Sequence, residues 1–168
     1  MNGEMVIVVD EKDKFIREED KLKCHLGEGV LHRAFIVMVF SGDKILLTKR
    51  SNKKFLWPCY WDGSVASHVR NGESYEEAAK RRLKEEIGID SKPWFLSKFK
   101  YKSKYKDVGV EYEICAVLKA DLNSKLRINY DEISEYKFVN IKKVIRDVKL
   151  NPEIYCPWFV CALKKFNI

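Results

Sequence analysis

Apolar positions along this chain fall into short blocks whose period changes several times. Met5–Val9 is a compact apolar run and reads as a strand. His32 to Phe40 (HRAFIVMVF) is β-branched and aromatic, the composition of a buried strand. Ser41-Gly42-Asp43 then turns the chain, and Lys44 to Thr48 is the returning strand of a hairpin. The period switches between Gly72 and Gly88. There Ala79, Leu83 and Ile87 recur at i+4, the buried stripe of a helix. Asn71-Gly72 makes a turn before it, Ser74 with Glu77 forms a capping box, and Gly88 ends it. Trp94 to Tyr105 and Glu111 to Ala120 read as two strands around residues 106–109, and Glu135 to Val139 as another. Ile141, Val144, Ile145 and Val148 mark an amphipathic helix closed by Asn151-Pro152. Pro157 can open a last helix with Trp158, Ala162 and Leu163 on its inner face. Strands interspersed with three helices predict an α/β (α+β) mixed-sheet sandwich flanked by helices, with residues 1–168 as a single domain.

Composition narrows the setting. Hydrophobic residues make up 46% and charged residues 34% of 168, an ordinary globular balance with enough chain for one core. No apolar run approaches the ~20 residues of a membrane span, and the first residues do not read as a secretion signal. The five cysteines (24, 59, 115, 156 and 161) include no C-x-x-C pair. An odd, unpaired set reads as reduced thiols in a cytoplasmic protein. The net charge of +7 favours an anionic partner. The lysines are spread along the chain without a basic tail, so a small phosphate ester is expected rather than nucleic acid or a membrane. Surplus lysines that merely aid solubility are the simpler alternative. Monomer and homodimer are equally compatible.

The chemistry concentrates in Trp61 to Ile89 (WDGSVASHVRNGESYEEAAKRRLKEEIGI). A Gly-Glu turn enters a helix carrying Arg81-Arg82-Leu83-Lys84-Glu85-Glu86. At ~100° per residue, Arg82 and Glu86 share one face and border the apolar stripe. A cation and a carboxylate side by side at the edge of a core can hold a phosphate and its metal. The plain alternative is two surface ion pairs, Arg81 with Glu85 and Arg82 with Glu86, worth a few tenths of a kcal/mol each.

This pattern, over residues 67–89, resembles the Nudix box. Glu73, Arg81, Leu83, Glu85, Glu86, Gly88 and Ile89 match it. Ser67 stands at its first Gly, and Arg82 at the first Glu of its metal-holding trio. Those departures, with His25, L-H-R-A-F at 31–35, T-K-R at 48–50, W-P at 57–58, S-V-A-S-H at 64–68, E-Y-E at 111–113, D-E at 131–132 and P-W at 157–158, are similar to the type I isopentenyl-diphosphate isomerases, Nudix relatives. The resemblance covers nearly the whole chain. It implies a divalent-metal site built from His25, His32, His68, Glu111 and Glu113. Glu111 and Glu113 alternate on a predicted strand, so both point to one face. Such a donor set suits Mn²⁺, Zn²⁺ or Mg²⁺. The bland alternative is a set of surface or hydrogen-bonded core histidines and a solvated strand face. The resemblance further implies Mg²⁺ between Glu86 and a substrate diphosphate, and a diphosphate clamp of Lys21, Arg50, Lys54 and Arg82.

The implied reaction is an allylic proton shift from isopentenyl to dimethylallyl diphosphate. One group protonates the alkene, another removes a proton on the far side, and an aromatic face covers the tertiary cation between. By resemblance Glu113 and Tyr101 serve one side, and Trp158 covers the cation. The other side belongs to a cysteine whose place is Ala66, and a methyl carries no proton. Three readings of Ala66 stay open. It is a substitution made to trap substrate; or water or another thiol, such as Cys59, supplies the proton; or the protein cleaves or only binds diphosphates. A Nudix pyrophosphohydrolase acting on a nucleoside or isoprenyl diphosphate is the competing enzyme, supported by Glu73, Glu85 and Glu86 and opposed by Arg82. A non-catalytic diphosphate-binding module is the competing non-enzyme.

Overall fold

The computed structural model describes residues 3–165. Its centre is β3 (His32–Ser41), the β-branched run, buried on both faces. Side chains alternate across a strand. Phe35, Val37 and Val39 therefore enter one core, and Ile36, Met38 and Phe40 the other. The first core is closed by α2 (Tyr75–Ile87), whose Ala79, Leu83 and Ile87 are fully buried. Burying one such leucine contributes roughly 1.5–3 kcal/mol. The second core is closed by α3 (Ile141–Leu150) and α4 (Pro157–Leu163) through Val144, Val148, Trp158 and Phe159. The sheet is thus sandwiched between helices.

Along one edge β3 pairs in parallel with β8 (Gly109–Asp121), and β8 pairs antiparallel with β7 (Trp94–Tyr105). The other edge of β3 is shared. It meets β1 (Met5–Val9) at His32, β6 (Val65–His68) in the middle, and β4 (Lys44–Arg50) at the hairpin end. β1 carries β2 (Phe15–Asp20) outside it; β4 is flanked by β5 (Trp61–Asp62) and β9 (Ile133–Asn140). One parallel pairing among antiparallel ones makes the sheet mixed, as expected.

The predicted helices are present. Ser74 accepts from Glu77 N and Glu77 accepts from Ser74 N, and Gly88 closes α2 at φ 73°. An added Cβ at Gly88 would also lie 2.6 Å from Cβ of Arg127. Pro157 occupies the first turn of α4. A fourth helix, α1 (Lys21–His25), was not expected. With five residues it is too short to show a period. Its N-cap Asp20 accepts from Lys23 N at 3.2 Å. Strands β2, β5 and β6 were also unanticipated. β2 reads FIREED and β5 and β6 are two and four residues long, so none carries an apolar alternation.

Candidate active site

Register in the sheet assembles the site. Glu113 on β8 stands opposite His32 on β3 and opposite Tyr101 on β7. His68, ending β6, stands opposite Ala34, two residues along β3 on the same face. Glu111 lies two residues before Glu113. His25 arrives from the end of α1. An added Cβ at Gly109 would sit 2.7 Å from the His25 carbonyl oxygen, so a glycine there lets α1 approach the start of β8.

The structure brings His25, His32, His68, Glu111 and Glu113 into one buried cluster, with one ligand atom from each inside 4.8 Å of all the others. The three imidazole centroids are 4.8, 5.2 and 5.0 Å apart. His25 Nδ1 lies 2.6 Å from the Lys21 carbonyl and His32 Nδ1 2.7 Å from the Val30 carbonyl. Each Nδ1 therefore donates its proton to the backbone, which leaves a lone pair at Nε2. His25 Nε2 is 2.9 Å from Glu111 Oε2 without hydrogen-bond geometry. His32 Nε2 and His68 Nδ1 are buried with no partner either. Orphaned acceptors of this kind cost free energy unless a cation joins them. The donor set fits a divalent metal ion of the imidazole-binding kind.

Electrostatics favour the ligating forms of His68 and Glu113, while His25 and Glu111 attract a proton that a bound cation would displace. Burial drives His68 down to about 3, so it stays neutral. Burial, then the charge of Glu113, raises Glu111. Burial also pushes Glu113 up, but the His32 and His68 imidazoles beside it, 3.5 and 3.1 Å away, outweigh it and hold the carboxyl well below its usual range. His25 is raised: burial opposes this, and Glu111 overcomes it. The Tyr101 hydroxyl donates to Glu113 Oε2, and burial together with the two carboxylates keeps that phenol protonated.

The cluster opens into a cavity of about 360 Å³. Lys21, Arg50, Lys54 and Arg82 line it, as do Ala66, Tyr101 and Trp158. Every cation of the expected clamp already has acceptors. Lys21 Nζ meets Glu4 Oε2 at 2.8 Å, and Lys54 Nζ meets Glu132. Arg50 donates to the carbonyls of Leu56 and Trp57 at 2.9 and 3.0 Å. Arg82 donates to Glu86 Oε1 at 2.7 and 3.0 Å, to Glu85 at 2.8 Å and to Glu132 at 3.2 Å.

Glu86 is buried behind Arg82 rather than on the cavity wall, and burial raises its carboxyl against the pull of Arg82 and Lys54. Glu132 lines the wall in front of it; the sequence offered only its D-E dipeptide. Glu4, Asp62 and Cys115 are further residues that motif reading did not reach. Glu4 and Cys115 line the cavity, and Asp62 touches two of its walls. None of them has a spacing that points to the site. Cys59, a candidate substitute thiol, is exposed and does not line the cavity. Glu73 and Glu85, the carboxylates a hydrolase would use, lie off the cavity wall as well. Glu73 is held by Arg81 at 2.6 and 2.9 Å, and Glu85 by Arg82.

The profile of the NUDIX domain matches residues 30–159, so fold and box together place the chain in the Nudix class. The isopentenyl-diphosphate Delta-isomerase 1 of Photorhabdus laumondii is 40% identical, covering 93% of this chain and 90% of its own. The isopentenyl-diphosphate Delta-isomerase of Haloarcula marismortui is 37% identical over 95% of this chain and 89% of its own. The chain belongs to the type I isopentenyl-diphosphate isomerase family within the Nudix superfamily, and is an isomerase-like enzyme by that kinship. A solved Deinococcus radiodurans protein shares the fold with a TM-score of 0.79 at 20% identity, covering 98% of this chain and 100% of that one.

Proposed function

We propose that this protein binds isoprenoid diphosphates and is built for the allylic proton shift between isopentenyl and dimethylallyl diphosphate. One observation carries the reading: the buried His25, His32, His68, Glu111 and Glu113 cluster opens into the same cavity as Lys21, Arg50, Lys54 and Arg82 and the rings of Tyr101 and Trp158.

Lys21, Arg50, Lys54 and Arg82 bind the diphosphate by exchanging their present carboxylate and carbonyl partners for phosphate oxygens. Glu86, now behind Arg82, would hold Mg²⁺ brought in with the diphosphate once Arg82 exchanges it for phosphate oxygens and the carboxylate turns to the cavity. A second divalent cation (Mn²⁺, Zn²⁺ or Mg²⁺) in the five-residue set supplies a fixed positive charge that offsets the two carboxylates. The Tyr101 hydroxyl orients Glu113, and the pair holds or moves a proton at Glu113 Oε2. The face of Trp158 stabilises positive charge on the hydrocarbon, while Leu56 and Phe55 on the wall exclude water. On the opposite side Ala66 carries no proton, so the chain as it stands binds substrate and lacks half of the acid–base pair.

Proton NMR of isopentenyl diphosphate in D₂O with Mg²⁺ tests this. A positioned general acid is worth about 10²–10⁴ in rate. Ala66→Cys is therefore expected to speed deuterium uptake at least about a hundredfold over the unaltered chain. Absence of uptake in both proteins, or release of phosphate in its place, sinks the reading. The hydrolase alternative fares worse because Glu73 and Glu85 are not among the cavity-lining residues and are paired with Arg81 and Arg82.

A further inference from the structure

Asp62, on β5 behind the cavity wall, is only 3% exposed and has no part in the proton shift described above. Its surroundings are unusual for a buried carboxylate. The Trp158 indole Nε1 lies 2.9 Å from Oδ1 and 2.9 Å from Oδ2. Gly63 N donates to Oδ1 at 2.7 Å, and Arg50 Nη1 stands 3.7 Å from Oδ2. The Arg50 guanidinium in turn sits 5.1 Å over the Trp158 ring. Asp62 therefore touches two cavity-lining side chains with opposite duties, one facing the anionic end of a substrate and one its hydrocarbon.

Burial raises the Asp62 carboxyl, but Arg50 and the donors from Gly63, Trp158 and Cys156 oppose that rise, and a carboxyl met only by donors and a guanidinium is favoured in its ionised form. Its charge matters because of what Arg50 does to the ring. A guanidinium over an indole uses the electron-rich face that another cation would need, and repels positive charge placed beside it. A carboxylate against both groups offsets that repulsion. By accepting the indole N–H it also fixes the ring plane and enriches its electrons.

We propose that Asp62 is a positioning residue that makes the Trp158 wall hospitable to positive charge on the hydrocarbon end of a diphosphate ligand. This rests on the diphosphate-site reading given above. It adds a residue that acts through Trp158 and Arg50 rather than by touching the ligand.

Two probes of equal shape separate this role from simple structural support. Dimethylaminoethyl diphosphate carries an ammonium where isopentyl diphosphate carries a neutral carbon. Calorimetry with Mg²⁺ measures both on the unaltered chain, Asp62→Asn and Trp158→Phe. Asp62→Asn removes the charge and keeps an oxygen for the indole N–H. It is expected to weaken the ammonium probe at least tenfold more than the neutral one. Trp158→Phe, which keeps a ring but removes the N–H, is expected to lose part of the same preference. The double variant should fall short of the sum of the two losses. Equal weakening of both probes in Asp62→Asn, with the unaltered chain binding both, overturns the role of Asp62 and leaves the site reading intact. Should Asp62→Asn not fold, an undiminished ammonium preference in Trp158→Phe overturns it instead. Failure of the unaltered chain to bind either probe overturns the diphosphate site itself.

Discussion

Lys21 faces the cavity, yet its ammonium is held by Glu4, which lies on the same wall. The pairing has a consequence for stability. Burial pushes the Glu4 carboxyl up, but the charge and hydrogen bond of Lys21 outweigh it, and the group falls from its ordinary 4.5 to about 2. A carboxyl depressed in the folded state stabilises the fold above its unfolded value, and loses that contribution as pH falls towards the folded value. Glu4→Gln is thus expected to be less stable than the unaltered protein above about pH 5. The difference should close as pH drops through 4.5 towards about 2. The side chain of Glu4 keeps 35% of its exposure, so salt screens the pair and the gap should shrink in 1 M NaCl as well. Urea unfolding across pH at two salt concentrations checks this. A gap that persists at pH 2 would mean that packing, not charge, carries the effect.

At the scale of elements, legibility tracked length and apolar period. β3 and α2 were readable because HRAFIVMVF and the Ala79, Leu83, Ile87 stripe are long enough to declare a period, and Ser74 and Gly88 punctuate the helix. β2 was not, because an outer strand can be as polar as FIREED when only one neighbour pairs with it. The histidines were legible only as a family pattern, since nothing local tells His25 that it will meet Glu111. That meeting depends on a contact between elements, α1 against the start of β8, where Gly109 lets the His25 carbonyl approach. Asp62 was invisible for the same reason, its partner Trp158 lying 96 residues away, and Glu132 showed only as half of a dipeptide, its partners lying 78 and 50 residues away. Gly109→Ala is therefore expected to act on the site through an element. Forcing a methyl against a backbone atom costs about 1–3 kcal/mol. The end of α1 should retreat, with divalent-cation affinity falling about tenfold or more, since even small shifts around ligands cost that much. Metal titration together with denaturant unfolding of the metal-free protein measures the two effects. Unchanged affinity at reduced stability would show that His25 does not depend on this approach.

For the whole molecule, the cluster is a cross-link between distant parts of the chain. Its five side chains come from α1, β3, β6 and β8, so the set exists only once the mixed sheet has formed. A cation that binds the folded chain and not the unfolded one adds stability by mass action, about 2.7 kcal/mol at a hundred times its dissociation constant. In a chain of this size each kcal/mol moves the melting temperature by about 2–4 °C, so saturation is worth about 5–10 °C. Stripping the protein with a chelator and restoring Mn²⁺ or Zn²⁺ should lower and then recover the melting temperature by that amount. His68→Ala should melt at nearly the same temperature with and without chelator, because one of the five donors is gone. Raising the cation concentration tenfold should add about a further 1.4 kcal/mol in the unaltered chain and almost nothing in the variant. A melting temperature indifferent to chelator in the unaltered chain would mean that the cluster holds no cation. The orphaned acceptors His32 Nε2, His68 Nδ1 and Glu111 Oε2 would then stand as a cost the fold carries without return.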